Sequence, residues 1–365
     1  PTLPSMAQVF DPSASMVQMG LATSMWGLAI GQVFFGPLSD KFGRKPVLVA
    51  SLVLFAISTV VSIYSTSISF FNFCRFVQGL GGAGAIVLSR SVATDCCSGR
   101  ELARTMAIIG AINGIAPVSA PVIGGLVSEA VGWQGIFWIL FALGAILLLM
   151  CGAFNESHPA SSRHKGSVLS LLGAVPELLK LRYFVIYVAI YAFTCGVLFS
   201  YISSASFIIQ NHFGFSEFMF SIVFGVNAIG IAIGSALSLR FRTLSGAALF
   251  GTAGVAASAM LQALNCWKYN SFHLYEGLTF AMLVFIGFVL TSVTTLAMDE
   301  GRSLAGTAAA IFGAIGFLFG GIVSPLVSIG NIMVTTVIII ASCALLALIF
   351  AIISYRRKSP FTVQS

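Results

Sequence analysis

The sequence predicts an all-α polytopic membrane protein of eleven spans, arranged as two halves with a parallel pseudo-twofold repeat. Three observations carry this. Hydrophobic residues make up 58% of the chain and charged ones 8%, against roughly a quarter charged in a soluble domain. Apolar runs of about 20 residues, enough to cross a hydrocarbon core, fill the whole length. The basic residues keep to alternate connections between those runs.

In chain order the runs cover about residues 16–37, 47–66, 69–91, 105–128, 134–154, 183–210, 218–239, 246–265, 276–297, 304–328 and 332–354. Each is bounded by polar punctuation: Asp40 to Lys45 closes the first, Asp95 to Arg104 separates the third from the fourth, and Asp299 to Ser303 ends the ninth. No window remains for a soluble catalytic domain, and the two-residue alternation of a barrel strand is absent.

A net charge of +7 in a soluble protein would point to nucleic acid, but here its placement follows loop parity. Sixteen of the eighteen Lys and Arg residues, from Lys41, Arg44 and Lys45 through Arg163 and Arg240 to Lys358, lie on one side; Lys268 lies opposite and Arg75 inside a span. The positive-inside rule makes the Asp40 loop, the segment 155–182 and the C-terminal tail cytoplasmic and starts Pro1 outside. No nucleic-acid partner, cofactor or metal is expected. The seven cysteines show no ligand or disulfide spacing, the four histidines fall in or beside loops, and no cleavable leader opens at Pro1.

The one long connection separates residues 1–154 from 183–365, with 155–182 as a cytoplasmic linker. Related segments recur 196 to 198 residues apart: Gly124-Gly125-Leu126-Val127-Ser128 against Gly320-Gly321-Ile322-Val323-Ser324, and the Asp40 loop, more weakly, against Gly234 to Arg242. Gly-x-x-x-Gly spacing, which lets helix backbones approach closely in lipid, occurs within spans at Gly27/Gly31, Gly110/Gly114, Gly230/Gly234 and Gly316/Gly320. Those are the first, fourth, seventh and tenth spans, so the unit of repetition is three helices.

Gly36-Pro37-Leu38-Ser39-Asp40-Lys41-Phe42-Gly43-Arg44-Lys45-Pro46 resembles the signature loop between helices 2 and 3 of the major facilitator superfamily. Arg75-Phe76-Val77-Gln78-Gly79-Leu80-Gly81 resembles its helix 4 motif. Gly110 through Pro117, with Pro121, Gly124 and Gly125, resembles the antiporter motif of helix 5, although Ala120 stands where many members have glycine. The resemblance spans the whole chain and is strongest to the twelve-span drug:proton antiporters, above all the bacterial bicyclomycin and chloramphenicol resistance group. It implies a first helix preceding Pro1, with a proton-coupling acid near that helix's outer end, and it places the protein in a bacterial inner membrane.

The candidate residues carry two readings each. Gly36, Asp40, Gly43 and Arg44 are either a basic topogenic turn, with Pro46 starting the next helix, or a cytoplasmic gate. In the gate Asp40 accepts hydrogen bonds from Arg44 or from a helix N-terminus, for which the resemblance implies the helix beginning near Ser303. Arg75, about six residues or roughly 9 Å into its span, either snorkels or hydrogen-bonds Gln78 and tunes a nearby carboxyl. Every acid lies in or near a loop, Glu276 among them. Pro117 and Pro121 are either inert kinks or, by the resemblance, part of a sealed interface. Tyr183, Tyr187 and Tyr191, four residues apart, and the amides Asn113 and Asn227 either pack the helices or line a substrate cavity.

The expected function is proton-coupled export of small amphipathic drugs by alternating access, the protein working as a monomer with protons and the lipid bilayer as its other partners. A metabolite uniporter or symporter is the alternative within the fold; a receptor or membrane enzyme is the alternative outside it. Against an enzyme stands the lack of a buried carboxylate pair, metal cluster or nucleophile with its base.

Overall fold

The computed structural model describes residues 14–97, 105, 123–124, 131–159, 163, 175–301 and 305–355. By contact the chain forms two compact units, one within residues 4–173 and the other within 174–365. The first unit contains α1 (Ala14–Phe42), α2 (Arg44–Ile63), α3 (Ile68–Cys96) and α4 (Val131–Ala153). The second contains the short α5 (Val175–Lys180), then α6 (Arg182–Phe207), α7 (Glu217–Ser238), α8 (Leu244–Leu264), α9 (Phe272–Glu300), α10 (Ala305–Leu326) and α11 (Ile332–Tyr355). Ten helices among the described residues are long and apolar enough to cross a membrane. The span expected at 105–128 lies almost wholly outside those residues.

Helices dominate because the bilayer offers no partner for a free backbone N–H or carbonyl, and the helix satisfies both within one segment. Buried hydroxyls follow the same rule. Ser58 donates to the Leu54 carbonyl at 2.7 Å, Thr194 to Ile190 at 2.7 Å and Ser204 to Ser200 at 2.8 Å, each using the preceding turn of its own helix. Outward faces are apolar, with Ile57, Leu149, Val226 and Ile338 exposed as lipid contact demands.

The two units share a wiring scheme. In the first, α3 packs along both α1 and α2; in the second, α9 packs along both α7 and α8. Glycine permits the closest approach in each case. A Cβ on Gly27 would strike the Phe76 carbonyl of α3, and one on Gly79 the Ser24 carbonyl of α1; likewise Gly234 of α7 faces the Val284 carbonyl, and Gly287 of α9 the Ile231 carbonyl. The expected Gly-x-x-x-Gly positions at Gly27/Gly31 and Gly230/Gly234 are therefore contact points. Gly316 of α10 instead makes room for the Tyr191 ring of α6, 2.7 Å from where its Cβ would stand.

Two sequence boundaries move. α1 continues past residue 37 to Phe42 with Pro37 inside it, so Asp40 and Lys41 belong to its last turn. Residues 175–180, expected within the linker, form α5, whose Leu178 is fully buried with Phe184 and Tyr187 of α6.

Candidate functional site

The Asp40 region is a helix junction with a break of one residue. Gly43, between α1 and α2, adopts φ 101° and ψ 157°, in the left-handed half of the map that side chains disfavour. A Cβ there would also sit 2.5 Å from Glu156 Oε2. α2 begins at Arg44, so Pro46 stands inside the first turn rather than at its start. Gly36 is less demanding, since a Cβ would meet Val87 Cγ1 at an ordinary 3.6 Å.

Glycine supplies no capping side chain, and Glu156, from the segment after α4, does so instead. Its Oε1 accepts from the Arg44 N–H at 2.8 Å and the His158 N–H at 3.0 Å; its Oε2 accepts from the Lys45 N–H at 3.3 Å. Arg163 Nη2 lies 3.6 Å away. Burial pushes the Glu156 pKa up, but the three backbone N–H groups and the Arg163 charge outweigh it, and the net direction is down.

Arg44 is 7% exposed and ties the junction to α3. Its Nη1 donates to Ser39 Oγ at 2.6 Å and pairs with Asp40 Oδ1 at 2.5 Å, while Nε donates to Asp95 Oδ2 at 2.8 Å. Asp95 accepts a further bond from Ser157 Oγ at 3.2 Å, and Lys45 Nζ reaches the Gly152 carbonyl at 3.2 Å. Three cations and three carboxylates thus hold the ends of α1, α2, α3 and the chain beyond α4 together. Ser303, near the partner helix expected for Asp40, is outside the described residues; Arg44, the other expected partner, is in place.

Arg75 lies two turns into α3 and does not snorkel. Its guanidinium donates to Gln78 Oε1 and to Ser24 Oγ of α1 at 3.1 Å, and its Cζ lies 5.5 Å from the centre of the Phe137 ring of α4, within cation–π range. Gln78, 2% exposed, passes the connection to Thr59 Oγ1 of α2 at 2.6 Å. Four helices therefore converge on one cation, and among the described residues no carboxylate comes within ion-pairing distance of it.

Of the candidate cavity residues, the tyrosines and Asn227 are among the described ones. Tyr187 is buried with Phe184, Ile190 and Val293, and Tyr183 lies at the edge of that cluster. Tyr191 stacks on Phe312 of α10 at 3.9 Å. Asn227 is fully buried but not isolated: its Nδ2 donates to the Tyr201 hydroxyl of α6 at 3.0 Å. Glu276, expected in or near a loop, lies about one turn inside α9. Gly110, Asn113, Gly114, Pro117, Pro121 and Gly125 fall outside the described residues, and Gly124 is described only as a helical step with Ile123.

The Glu156 cap gives a pH prediction. Because its folded pKa is depressed, its contribution is fully present above the unfolded value of about 4.3 and is lost as pH falls through the folded one. Glu156→Gln should cost about 1 kcal/mol near neutral pH, and the gap between variant and wild type should close on acidification. Thermal unfolding at pH 7 and below pH 4 measures both.

The description Major Facilitator Superfamily belongs to the family model that matches residues 1–325. Among curated relatives, an uncharacterized MFS-type transporter of Bacillus subtilis, YdgK, is 34% identical over 344 residues, 91% of this chain and 84% of the relative. A bicyclomycin resistance protein homolog of Haemophilus influenzae is 27% identical over 335 residues, 90% of this chain and 83% of the relative. Among solved structures, a D-xylose-proton symporter aligns with a TM-score of 0.76 at 16% identity, covering 96% of this chain and 91% of that one.

Proposed function

Because the chain belongs to the Major Facilitator Superfamily, we propose that it is a proton-coupled exporter of small amphipathic molecules, drugs among them, in the cytoplasmic membrane of a bacterium. The observation that carries this reading is Arg75. A cation within a span costs several kcal/mol unless it is used and solvated by polar neighbours, and here Ser24, Gln78 and Phe137 provide neutral partners without cancelling the charge. Such a fixed charge favours the ionised form of a carboxyl brought near it, which is what proton exchange requires.

The cargo is inferred from the bicyclomycin resistance homolog, whose likeness runs through nine-tenths of the chain. The likeness to the sugar symporter, at 16% identity, supports the fold alone and does not favour sugar uptake. Gly36, Asp40, Gly43 and Arg44 act as a conformational element: the ion pairs they make stabilise one member of an alternating-access equilibrium and are broken in the other. The protein acts as a monomer, as a transporter rather than a catalyst, with the C-terminus in the cytoplasm.

Everted membrane vesicles from cells making the full-length protein test the proposal with ethidium and chloramphenicol as probes. Uptake should rise when respiration acidifies the vesicle interior and fall to the level of vesicles lacking the protein when nigericin dissipates the pH gradient. Uptake of neither compound, or uptake indifferent to the gradient, overturns it.

A further inference from the structure

The second unit half-buries a carboxyl that nothing above uses. Glu276 sits in the second turn of α9, within the segment long and apolar enough to cross the membrane. Its Oε2 is enclosed and, among the described residues, accepts no hydrogen bond. Around it stand Tyr201 from α6, 3% exposed, Asn227 from α7, fully buried, and Tyr275 and Thr279 of its own helix, 5% and 1% exposed. Both phenols feel the Glu276 carboxyl, and the carboxyl faces the Asn227 amide.

A carboxylate with one oxygen enclosed and unpartnered is stabilised as an ion only by a nearby cation or further donors, since burying charge without them is costly. Neither is at hand. At that end of the unit Lys268 Nζ lies over the Tyr269 ring at 5.5 Å, His212 Nε2 is 2.9 Å from Asn270 Oδ1, and His273 is exposed; none pairs with Glu276 among the described residues. α8 and α10 carry no titratable side chain, α7 carries only Glu217, and α6 presents Tyr201. The nearby amides are shared with other acceptors, and Asn227 is the one that also faces the carboxyl. Asn227 Nδ2 is given to the Tyr201 hydroxyl, and Gln262 Nε2 to the Tyr275 carbonyl and Thr279 Oγ1, each at 2.8 Å.

The site therefore has enclosed acceptors in excess, Asn227 Oδ1 and Gln262 Oε1 being without a donor too. One added proton alters both counts: it removes the charge from Glu276 and turns an acceptor into a donor. No cavity for a larger ligand is needed.

We propose that Glu276, framed by Asn227 and Tyr201, is a proton-binding site of the second unit and holds its proton as the neutral acid in this arrangement. Releasing the proton leaves a charge among α6, α7 and α9 and favours a state in which the carboxyl reaches water, so occupancy by the proton biases how these three helices pack. The use of that bias in transport rests on the exporter reading, whereas the protonation itself does not.

Infrared titration of the full-length protein in lipid nanodiscs tests it. At pH 6, above the ordinary glutamic acid value of about 4.3, the wild type minus Glu276→Gln difference spectrum should contain a carboxylic-acid C=O band. Glu276→Asp, which keeps the acid on a shorter arm, should shift the band rather than remove it, and serves if the glutamine variant fails to fold. A spectrum with no such band, from variants that melt like the wild type, overturns the proposal. In proteoliposomes Glu276→Gln should reduce ethidium movement driven by a pH gradient at least tenfold while leaving gradient-free exchange intact; equal losses in both overturn the coupling role. Wild-type transport indifferent to pH would sink the exporter reading and leave the infrared result to decide the proton site.

Discussion

Replacing Arg44 with alanine is expected to destabilise the protein by about 1.5 to 3 kcal/mol, less than the loss from a fully buried pair, because Arg44 is enclosed while Asp40 is 40% exposed and Asp95 19%. The variant leaves Ser39 Oγ, Asp40 and Asp95 without the group that joins them, and among the described residues Asp95 keeps the Ser157 hydroxyl as its donor. The backbone bond from the Arg44 N–H to Glu156 survives, so the loss isolates the side chain. Arg44→Lys should recover little: an ammonium is a compact point charge, and the guanidinium here uses Nη1 and Nε in two different directions. Arg44→Ala combined with Asp95→Asn should be more stable than the sum of the two single losses, because the second change removes the carboxylate that the first had stranded. Thermal unfolding of the four variants in one detergent measures the cycle, and a strictly additive result would mean that Arg44 and Asp95 do not act as a pair.

The partners in that network show where sequence reading stopped. Gly43 was legible because a glycine between two apolar runs, next to basic residues, announces a tight junction, and the structure puts it at φ 101°. Asp95 and Glu156 were not, although they lie on the same side as the basic loops, because their meeting with Arg44 spans 51 and 112 positions of chain. Ser24, Thr59 and Phe137 around Arg75 escaped notice for the same reason, each coming from a different helix.

Glu276 was missed through a different rule. A charge at the edge of an apolar run reads as its boundary, which starts this span at Glu276, yet α9 begins at Phe272. Asp40 reads as a loop residue likewise, though α1 runs to Phe42. A charge near a helix end is assigned to a loop by that reading, whereas Arg75, with a long apolar run around it, is not, and charges carried inward are the ones most informative about function. The span count suffered little, because ten of the expected runs reappear with shifted ends. What no run length could reveal was the wiring within each unit, which depends on where small residues let backbones touch.

That wiring yields a matched pair of substitutions on α9. At Gly287 a Cβ would run into the Ile231 carbonyl and come within 2.7 Å of the Ser235 N of α7. At Gly277, on the same helix, a Cβ would meet nothing within 4 Å. Gly277→Ala should be neutral or stabilising by up to about 1 kcal/mol, since alanine is the better helix former. Gly287→Ala gains the same propensity but must push α7 and α9 apart, and overpacking of this kind costs about 1 to 3 kcal/mol, more where the obstacle is backbone that cannot rotate away. It also strains the bond from Ser235 Oγ to the Gly287 carbonyl, 3.3 Å long. Gly287→Leu should therefore prevent accumulation of folded protein, while Gly277→Leu should be tolerated. The first unit offers the same experiment at Gly79, whose Cβ would strike the Ser24 carbonyl of α1. There the displaced helix carries the hydroxyl bonded to Arg75, so Gly79→Ala should depress transport as well as melting temperature. Gly287→Ala, whose neighbours Ile231 and Ser235 belong to the other unit, should act on melting temperature first, and equal effects of the two on transport would argue against a separate role for the Arg75 cluster.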